Sequence, residues 1–254
     1  MHQAVREAGA LALSYFGGNL KNWKKPEDST PVSEADLAVD ALLLERLHGA
    51  RPDYGWLSEE TEDDPVRLDR RRTWIVDPID GTRAFLKGLP HFAVAVALVE
   101  EGQPVLAAVF NPASGEYFAA RQGAGTTLDG VPVTVTDRSD LAGCRMAGFA
   151  GLFRHKSWRE PWPDMDILER NSMAYRLALV AAGLADATVT LTGKSDWDLA
   201  AAHLLVEEAG GRVSDHRGRP IAYNRANTRH QSLIAAGPSL HETLLRRVEH
   251  VTLP

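Results

Sequence analysis

The sequence predicts an α/β protein whose N-terminal half is α+β, and three observations carry that prediction. Residues 2–16 and 33–48 form two amphipathic helical stretches, strand-like runs bounded by turn dipeptides follow them, and from about residue 170 helical and extended segments alternate. The 254 residues can bury a large core, as one domain or as two closely packed halves.

In chain order, the second helical stretch places Leu37, Ala41, Leu44 and Leu47 at helical spacing. Trp74, Ile75 and Val76 form an apolar, β-favouring run, and Thr82, Ala84, Phe85 and Leu86 read as a short helix. Residues 92–99, 105–110 and 116–120 form a strand meander, with Glu101-Gly102 and Ala113-Ser114-Gly115 as its turns and further hairpin material running to Val135. The texture changes near 137–143, which divides the chain into halves 1–140 and 141–254. Beyond it, 173–182 reads as helix, 187–191 as strand, 198–209 as helix, 212–214 and 232–236 as strands, and a last helix starts at Ser239. No internal repeat or low-complexity tract is evident.

The chemistry concentrates at Trp74-Ile75-Val76-Asp77-Pro78-Ile79-Asp80-Gly81-Thr82. Pro78 biases Asp77 toward an extended backbone, which puts Asp77 at the end of the strand. The chain turns at Gly81, so the amides of Gly81 and Thr82 lie at a helix N-terminus, where an anion is received. Two carboxylates beside an anion site need a cation between them. Taken alone, Asp-Gly also reads as an ordinary turn, with Asp capping it. Two more segments end elements in carboxylates: Gly55-Trp56-Leu57-Ser58-Glu59-Glu60-Thr61 and Ser195-Asp196-Trp197-Asp198-Leu199-Ala200-Ala201-Ala202. Glu59, Asp77, Asp80 and Asp198 offer hard oxygens with no His or Cys among them, a donor set that suits magnesium over zinc.

Glu59-Glu60, Asp77-Pro78-Ile79-Asp80-Gly81-Thr82, and Trp197-Asp198 followed by Glu207-Glu208-Ala209-Gly210-Gly211 resemble the signatures of the inositol monophosphatase superfamily, the magnesium-dependent, lithium-sensitive phosphomonoesterases. The motifs occur in the family's order and spacing over nearly the whole chain. The resemblance implies a five-layered αβαβα sandwich, with most metal ligands in the first half, and Asp198 and the substrate residues in the second. It implies two or three Mg²⁺ ions per site. Glu59 and Asp77 would hold the first with the carbonyl of Ile79, and Asp77, Asp80 and Asp198 the second, while the phosphate rests on Gly81 and Thr82. A metal pair about 3.5–4 Å apart can activate water, neutralise phosphoryl charge and stabilise a departing alkoxide.

Ser33 reads as a helix N-cap with Asp36 at N3, a structural role for that acid. The family has here an acid that pairs with the motif threonine, so the resemblance makes Asp36 and Thr82 the relay that orients and deprotonates water. Glu60 would support it through a third metal or a water. Lys25 or Lys24 resembles the lysine of the family's mobile first loop, although two lysines beside a proline more often form just a solvated loop.

For the substrate, Leu191 stands where inositol monophosphatases proper carry an acid that binds ring hydroxyls. Asn171-Ser172-Met173-Ala174-Tyr175-Arg176 occupies the segment that lines the substrate in the family, with Asn171 replacing its Gly; Ser172, Met173, Ala174 and Arg176 are the candidates there. Arg176 reads as a second cation for a doubly phosphorylated ligand or as a solvent-facing helix arginine. Tyr223-Asn224-Arg225 resembles a segment of the bisphosphate nucleotidase branch, making Tyr223 and Arg225 substrate candidates, since arginine forks onto phosphate or stacks on a purine. The expected activity is a 3′(2′),5′-bisphosphate nucleotidase converting 3′-phosphoadenosine 5′-phosphate to AMP. The alternatives are an inositol-1-monophosphatase or a sugar, polyol or histidinol phosphate phosphatase, and, remotely, a non-catalytic nucleotide- or metal-binding relative. The loop 153–162 mixes basic and aromatic residues as an adenine wall or, more simply, as packing, and His203 reads as a packed histidine.

The formal net charge of −6 argues against a nucleic-acid polymer as partner, and Arg70-Arg71-Arg72, preceded by acids, reads as a charged surface loop. The single cysteine, Cys144, permits no internal disulfide, and no 18-residue apolar span or signal sequence is evident. These features predict a cytoplasmic protein without a membrane partner, and the resemblance implies an enzyme, monomer or homodimer, acting on a small-molecule phosphate ester.

Overall fold

The computed structural model describes residues 1–26, 29–156 and 158–253; Asp28, at the start of the loop before Ser33, and Ser157, in the aromatic loop, lie outside the described residues. The chain opens with helix α1 (His2–Tyr15), a ribbon of β1 (Asn22–Lys24) and β2 (Pro31–Ser33), and helix α2 (Glu34–Leu43), which continues through a wider π-type turn at Leu44–His48. There follow β3 (Gly55–Ser58), β4 (Arg72–Asp80), the short helix α3 (Thr82–Phe85), β5 (Ala93–Glu100), β6 (Gln103–Asn111), β7 (Glu116–Arg121), β8 (Thr126–Leu128) and β9 (Val131–Val133). These seven strands pair in sequence order into one sheet, parallel only between β3 and β4.

The remainder comprises β10 (Arg145–Ala147), α4 (Ala150–Phe153), β11 (Asp166–Leu168), α5 (Met173–Ala181), β12 (Ala187–Thr190), β13 (Lys194–Ser195), α6 (Asp196–Glu208), β14 (Arg212–Ser214), β15 (Arg229–His230), β16 (Leu233–Ala236) and α7 (Pro238–Val248). A five-stranded mixed sheet has the order β11-β10-β12-β16-β14, and β13 pairs with β15 apart from it. The three-residue strands β10 and β11 are too short to register as periodic runs and are absent from the sequence expectation.

Alternation along each strand explains the layering, because successive side chains of a strand face opposite sides. In β5, Ala93, Ala95, Ala97 and Val99 join a core with α5 and α6, whereas Val94, Val96 and Leu98 join a second core with α1 and α2. In the second sheet, Ala147, Val213, Leu233 and Ala235 face α5 and α6, and Met146, Ala187, Val189, Ile234 and Ala236 face Leu240, Leu244 and Val248 of α7. The layers therefore run αβαβα, as the resemblance implies. The outer helix α1 buries one stripe, Ala4, Val5, Ala8, Gly9 and Ala12, whereas α5 is buried along its whole length because it lies between two sheets. Small residues such as Ala200, Ala201 and Ala202 in α6 admit both sheets closely. Among the described residues, no helix is long and apolar enough to cross a membrane.

Leu177 of α5 is fully buried between the sheets, and Leu184 just beyond α5 is 42% exposed. Leu177→Ala should lower unfolding free energy by about 2–5 kcal/mol in urea titration, through lost burial and a residual cavity. Leu184→Ala should stay within about 0.5 kcal/mol of the parent.

Candidate metal and phosphate site

Asp77 and Asp80 share one face because β4 carries a bulge. Asp77 pairs with Ala95 and Asp80 with Ala93, so three steps along β4 match two along β5. On a regular strand, residues three apart face opposite sides; the extra residue brings Asp80 round to join Asp77. Ala93 and Ala95 both face the central helices, so the two carboxylates do too, while Ile79 packs toward the outer helices. Pro78, which has no N–H to give a ladder, sits within this irregular stretch.

The third carboxylate comes from α6. That helix starts two residues earlier than the sequence periodicity suggests: Ser195 is its N-cap, Asp198 is its N3 residue, and the Ser195 N–H donates to Asp198 Oδ2 at 2.7 Å. The cap fixes Asp198 beside β4, and one oxygen each of Asp77, Asp80 and Asp198 lie within 4.8 Å of one another. Asp80 Oδ2 also accepts from Ser172 Oγ and from the Ala174 N–H, each at 2.6 Å, which ties β4 to the start of α5. Both oxygens of Asp77 are buried without a hydrogen-bond partner.

Glu59 and Glu60 follow β3, and the Glu59 N–H donates to the Val76 carbonyl at 3.2 Å. Lys25 Nζ bridges them, at 3.1 Å from Glu59 Oε1 and 2.9 Å from Glu60 Oε1. Burial and neighbouring acids push the Asp77 carboxyl well above its usual range; burial and Asp198 push Asp80 up to about 7. Glu60 is raised to about 7 by burial, against the pull of Lys25, and burial likewise raises Glu59. A fully buried carboxylate with no donor cannot stay ionised alone; it takes a proton or a cation. The all-oxygen donor set and the orphaned Asp77 thus fit a hard divalent cation.

Asp36 closes the helix cap read from the sequence and also pairs with Thr82. Its Oδ2 accepts from the Ser33 N–H at 2.8 Å and from Ser33 Oγ at 2.5 Å, closing the cap of α2, and its Oδ1 accepts from Thr82 Oγ1 at 3.0 Å. The Ile79 carbonyl lies 3.1 Å from the same hydroxyl. Burial raises the Asp36 carboxyl despite these donors. Gly81 is required at its position: its φ is +96°, and a Cβ there would lie 2.7 Å from the His91 carbonyl oxygen. A cavity of about 350 Å³ opens over this group, lined by Glu59, Asp80, Asp198, Gly81 and Thr82 together with Arg83, Phe149, Leu152, Arg176, Leu191 and Lys194.

The model of the inositol monophosphatase family matches residues 1–253. The chain belongs to the inositol monophosphatase family. A relative from Xylella fastidiosa named Nus factor SuhB is 38% identical over 86% of this chain and 81% of its own. A histidinol-phosphatase of Chlorobaculum parvum is 34% identical over 85% of each. The crystal structure of the extragenic suppressor protein suhB from Bartonella henselae superposes with a TM-score of 0.84 at 31% identity, covering 99% of this chain and 98% of that one. Phosphatase chemistry is thereby the chain's enzymatic class, and a small phosphate ester accords with the family.

Within this inositol monophosphatase fold the expected substrate residues separate. Arg176 lines the cavity although only 5% exposed; its Nε donates to the Arg170 carbonyl at 2.6 Å, and its guanidinium lies 4.4 Å from the centroid of the Phe149 ring. Burial lowers it to about 10, so it remains a cation at neutral pH. Ser172 is buried as the N-cap of α5, and Met173 and Ala174 are buried behind it. Tyr223 is placed in the core, its hydroxyl 2.7 Å from His203 Nδ1, and Arg225 lines a separate cleft with Arg219 and Arg229. Neither lines the carboxylate cavity. In the aromatic loop, Trp158 and Trp162 pack edge-on at 5.2 Å and Trp158 Nε1 donates to the Leu152 carbonyl at 2.7 Å, the packing arrangement. Phe149 and Lys25 are the contributors that sequence reasoning missed or left open. Phe149 carries no motif, and Lys24 and Lys25 differ only in which one the ribbon turns inward.

The raised acids fix a pH dependence. Asp80 and Glu60 protonate near 7 when folded, against ordinary values of 3.8 and 4.5. Between these limits the folded, metal-free chain holds more protons than the unfolded chain, so stability falls as pH rises through the window. In EDTA the melting temperature should drop between about pH 5 and about pH 8, and excess Mg²⁺ should reverse most of that drop at the alkaline end. A flat profile in EDTA would contradict the raised values.

Proposed function

We propose that this chain is a Mg²⁺-dependent phosphomonoesterase, and that its substrate is a 3′(2′),5′-bisphosphate nucleotide, converted to the 5′-monophosphate. The observation that carries the metal reading is Asp77, buried with no donor to either oxygen and ringed by Glu59, Asp80 and Asp198. In this reading Glu59, Asp77, Asp80, Asp198 and the Ile79 carbonyl hold two or three Mg²⁺ ions. When bound, such ions neutralise phosphoryl oxygens, acidify water and stabilise the leaving alkoxide.

The chain's own residues do the rest. The Thr82 hydroxyl donates to Asp36 and faces the cavity, so a water there gives its proton to Thr82 Oγ1 as the Thr82 proton passes to Asp36 Oδ1. Water oxygen forms the new bond to phosphorus, the ester oxygen leaves with the P–O electron pair, and a solvent proton completes the alcohol. Burial of Asp36 raises its basicity for this role. The amides of Gly81 and Thr82 receive the phosphate. Glu60, held by Lys25, supports the water side.

Arg176 supports the bisphosphate. Among the described residues it makes no ion pair, yet it is nearly buried in the cavity wall. A second phosphate would satisfy it. Phe149, 46% exposed, lines the cavity with the Arg176 guanidinium 4.4 Å from its ring centroid, a paired aromatic and cationic surface that suits a base beside a phosphate, and Leu191 offers no acceptor for polyol hydroxyls. Tyr223 and Arg225 give this reading no support from their places. The second reading is a monophosphate of inositol or histidinol, which the family and the relative named histidinol-phosphatase favour. The enzyme is proposed to act in the cytoplasm, as monomer or homodimer, without nucleic-acid or membrane partners.

Phosphate release with Mg²⁺ from 3′-phosphoadenosine 5′-phosphate, inositol 1-phosphate and histidinol phosphate tests both readings. A kcat/KM preference of about a hundredfold for the bisphosphate, some 2.7 kcal/mol, is expected; a preference for a monophosphate selects the second reading. Asp80→Asn should lower kcat by about 10²-fold or more with the fold retained by circular dichroism, and a near-parent rate would sink the metal assignment. Arg176→Met should raise KM for the bisphosphate about tenfold or more and leave monophosphate KM nearly unchanged.

A further inference from the structure

We propose that Arg67 is a positioning residue that locks the two ligand-bearing segments of the metal site, the loop after β3 and the first turn of α6, to each other. The inference rests on the reading of Glu59 and Asp198 as metal ligands.

Arg67 lies in a 3₁₀ turn at Pro65–Asp69, away from the cavity, and is 2% exposed. Its planar fork engages two separate parts of the chain. Nε and one terminal nitrogen donate to the two oxygens of Asp63 at 2.6 and 2.9 Å, while the other terminal nitrogen donates to Asn224 Oδ1 at 2.8 Å. The Arg225 carbonyl accepts at 3.1 Å. Asp63 belongs to the loop that carries Glu59 and Glu60. The stem of Arg67 packs under the start of β3, the strand that runs directly into Glu59. A Cβ on Gly55 would lie 2.9 Å from Arg67 Cβ and 2.6 Å from Thr73 Oγ1, so only glycine leaves room for it.

The Asn224 side of the fork reaches α6. Asn224 has φ +55°, a left-handed conformation that asparagine tolerates, and in it the Asn224 N–H donates to Asp196 Oδ2 at 2.7 Å. Asp196 is the first residue of α6 and is 1% exposed; its other oxygen lies 2.7 Å from His230 Nε2. Its own N–H donates to the Thr228 carbonyl at 2.9 Å. Asp198 follows two residues on, at N3. The connected path Asp63, Arg67, Asn224, Asp196 thus joins a ligand segment of the N-terminal half to one of the C-terminal half, without any member lining the cavity. A lysine, with a point charge in place of a fork, cannot bridge both partners with this geometry. Supporting groups of this kind set metal affinity because ligand oxygens must stay within fractions of an ångström of their places.

Direct Mn²⁺ binding to the metal-free full chain, read by electron paramagnetic resonance and by calorimetry, tests this. Asn224→Gly keeps the left-handed backbone and the N–H to Asp196 and removes the acceptor for Arg67 together with the long 3.4 Å donation from Asn224 Nδ2 to the Arg67 carbonyl, which Asn224→Asp lacks as well; Asn224→Gly should weaken Mn²⁺ binding about tenfold or more. Asn224→Asp restores the acceptor and should bind within about threefold of the parent. With Mn²⁺ saturating, both variants should recover the parent's kcat and substrate KM. Leu177→Ala, destabilised elsewhere, should bind Mn²⁺ as the parent does. Parent-like binding by Asn224→Gly, or an equal loss in Leu177→Ala, would overturn the positioning role. Equal Mn²⁺ binding by the parent and by Asp77→Asn would instead overturn the metal-site reading, and this inference with it.

Discussion

The rest of the site depends on carboxylates brought together in the interior faster than protein donors can satisfy them. Asp77 is the extreme case, buried with neither oxygen bonded, and Glu59, Asp80 and Asp198 surround it. At low effective dielectric, like charges this close oppose one another by several kcal/mol, so the folded chain must admit protons or cations. Lys25 relieves only the outer pair, Glu59 and Glu60. The unrelieved charge sits where the cavity opens. Proton or cation uptake at these acids and the stability of the fold are therefore one problem.

Three of the acids share one device. Asp36 commits Oδ2 to Ser33, Asp198 commits Oδ2 to Ser195, and Asp80 commits Oδ2 to Ser172 and the Ala174 amide. In each case one oxygen is fastened at a helix N-terminus, where the helix field favours negative charge, and in Asp36 the other accepts from Thr82. Capping and chemistry are thus not competing explanations for these residues. The cap sets the carboxylate's rotamer and so the direction of its second oxygen. Asp77 lacks such a fastening, which is why its charge depends most on a cation.

What the sequence revealed follows from how local each feature is. The β5 to β7 meander and α5 were legible because alternation and helical spacing need only neighbours. Asp77, Asp80, Gly81 and Thr82 were legible because turn chemistry at Pro78 and Gly81 is written in adjacent residues. The short strands β10 and β11 were not, since three residues carry no period. Nor could the chain order say that Tyr223 turns into the core while Phe149 faces the cavity, because a tertiary contact decides each: the His203 ring holds the first, and the Arg176 guanidinium covers the second. Arg67 carries no local signal for the same reason, its partners being Asp63 nearby and Asn224 on a distant loop.

Glu59, Asp80 and Asp198 line one part of the cavity, and the rest of a ligand would meet the residues that line the remainder. There the backbone scaffolds are α5 and the chain leaving β12, and the side chains presented are Arg176 and Leu191, with Phe149 from the loop before α4. A neutral polyol would meet Leu191 with hydroxyls it cannot bond and leave the Arg176 charge partly desolvated. An anionic group would be drawn to that same charge, because burial weakens competing water and strengthens a forked contact. Since burial brings Arg176 only to about 10, the charge persists at neutral pH. In the proposed bisphosphate reading, the Arg176 guanidinium over the Phe149 ring would meet a second anion beside a flat apolar group, while Leu191 gives a polyol no acceptor at its own position.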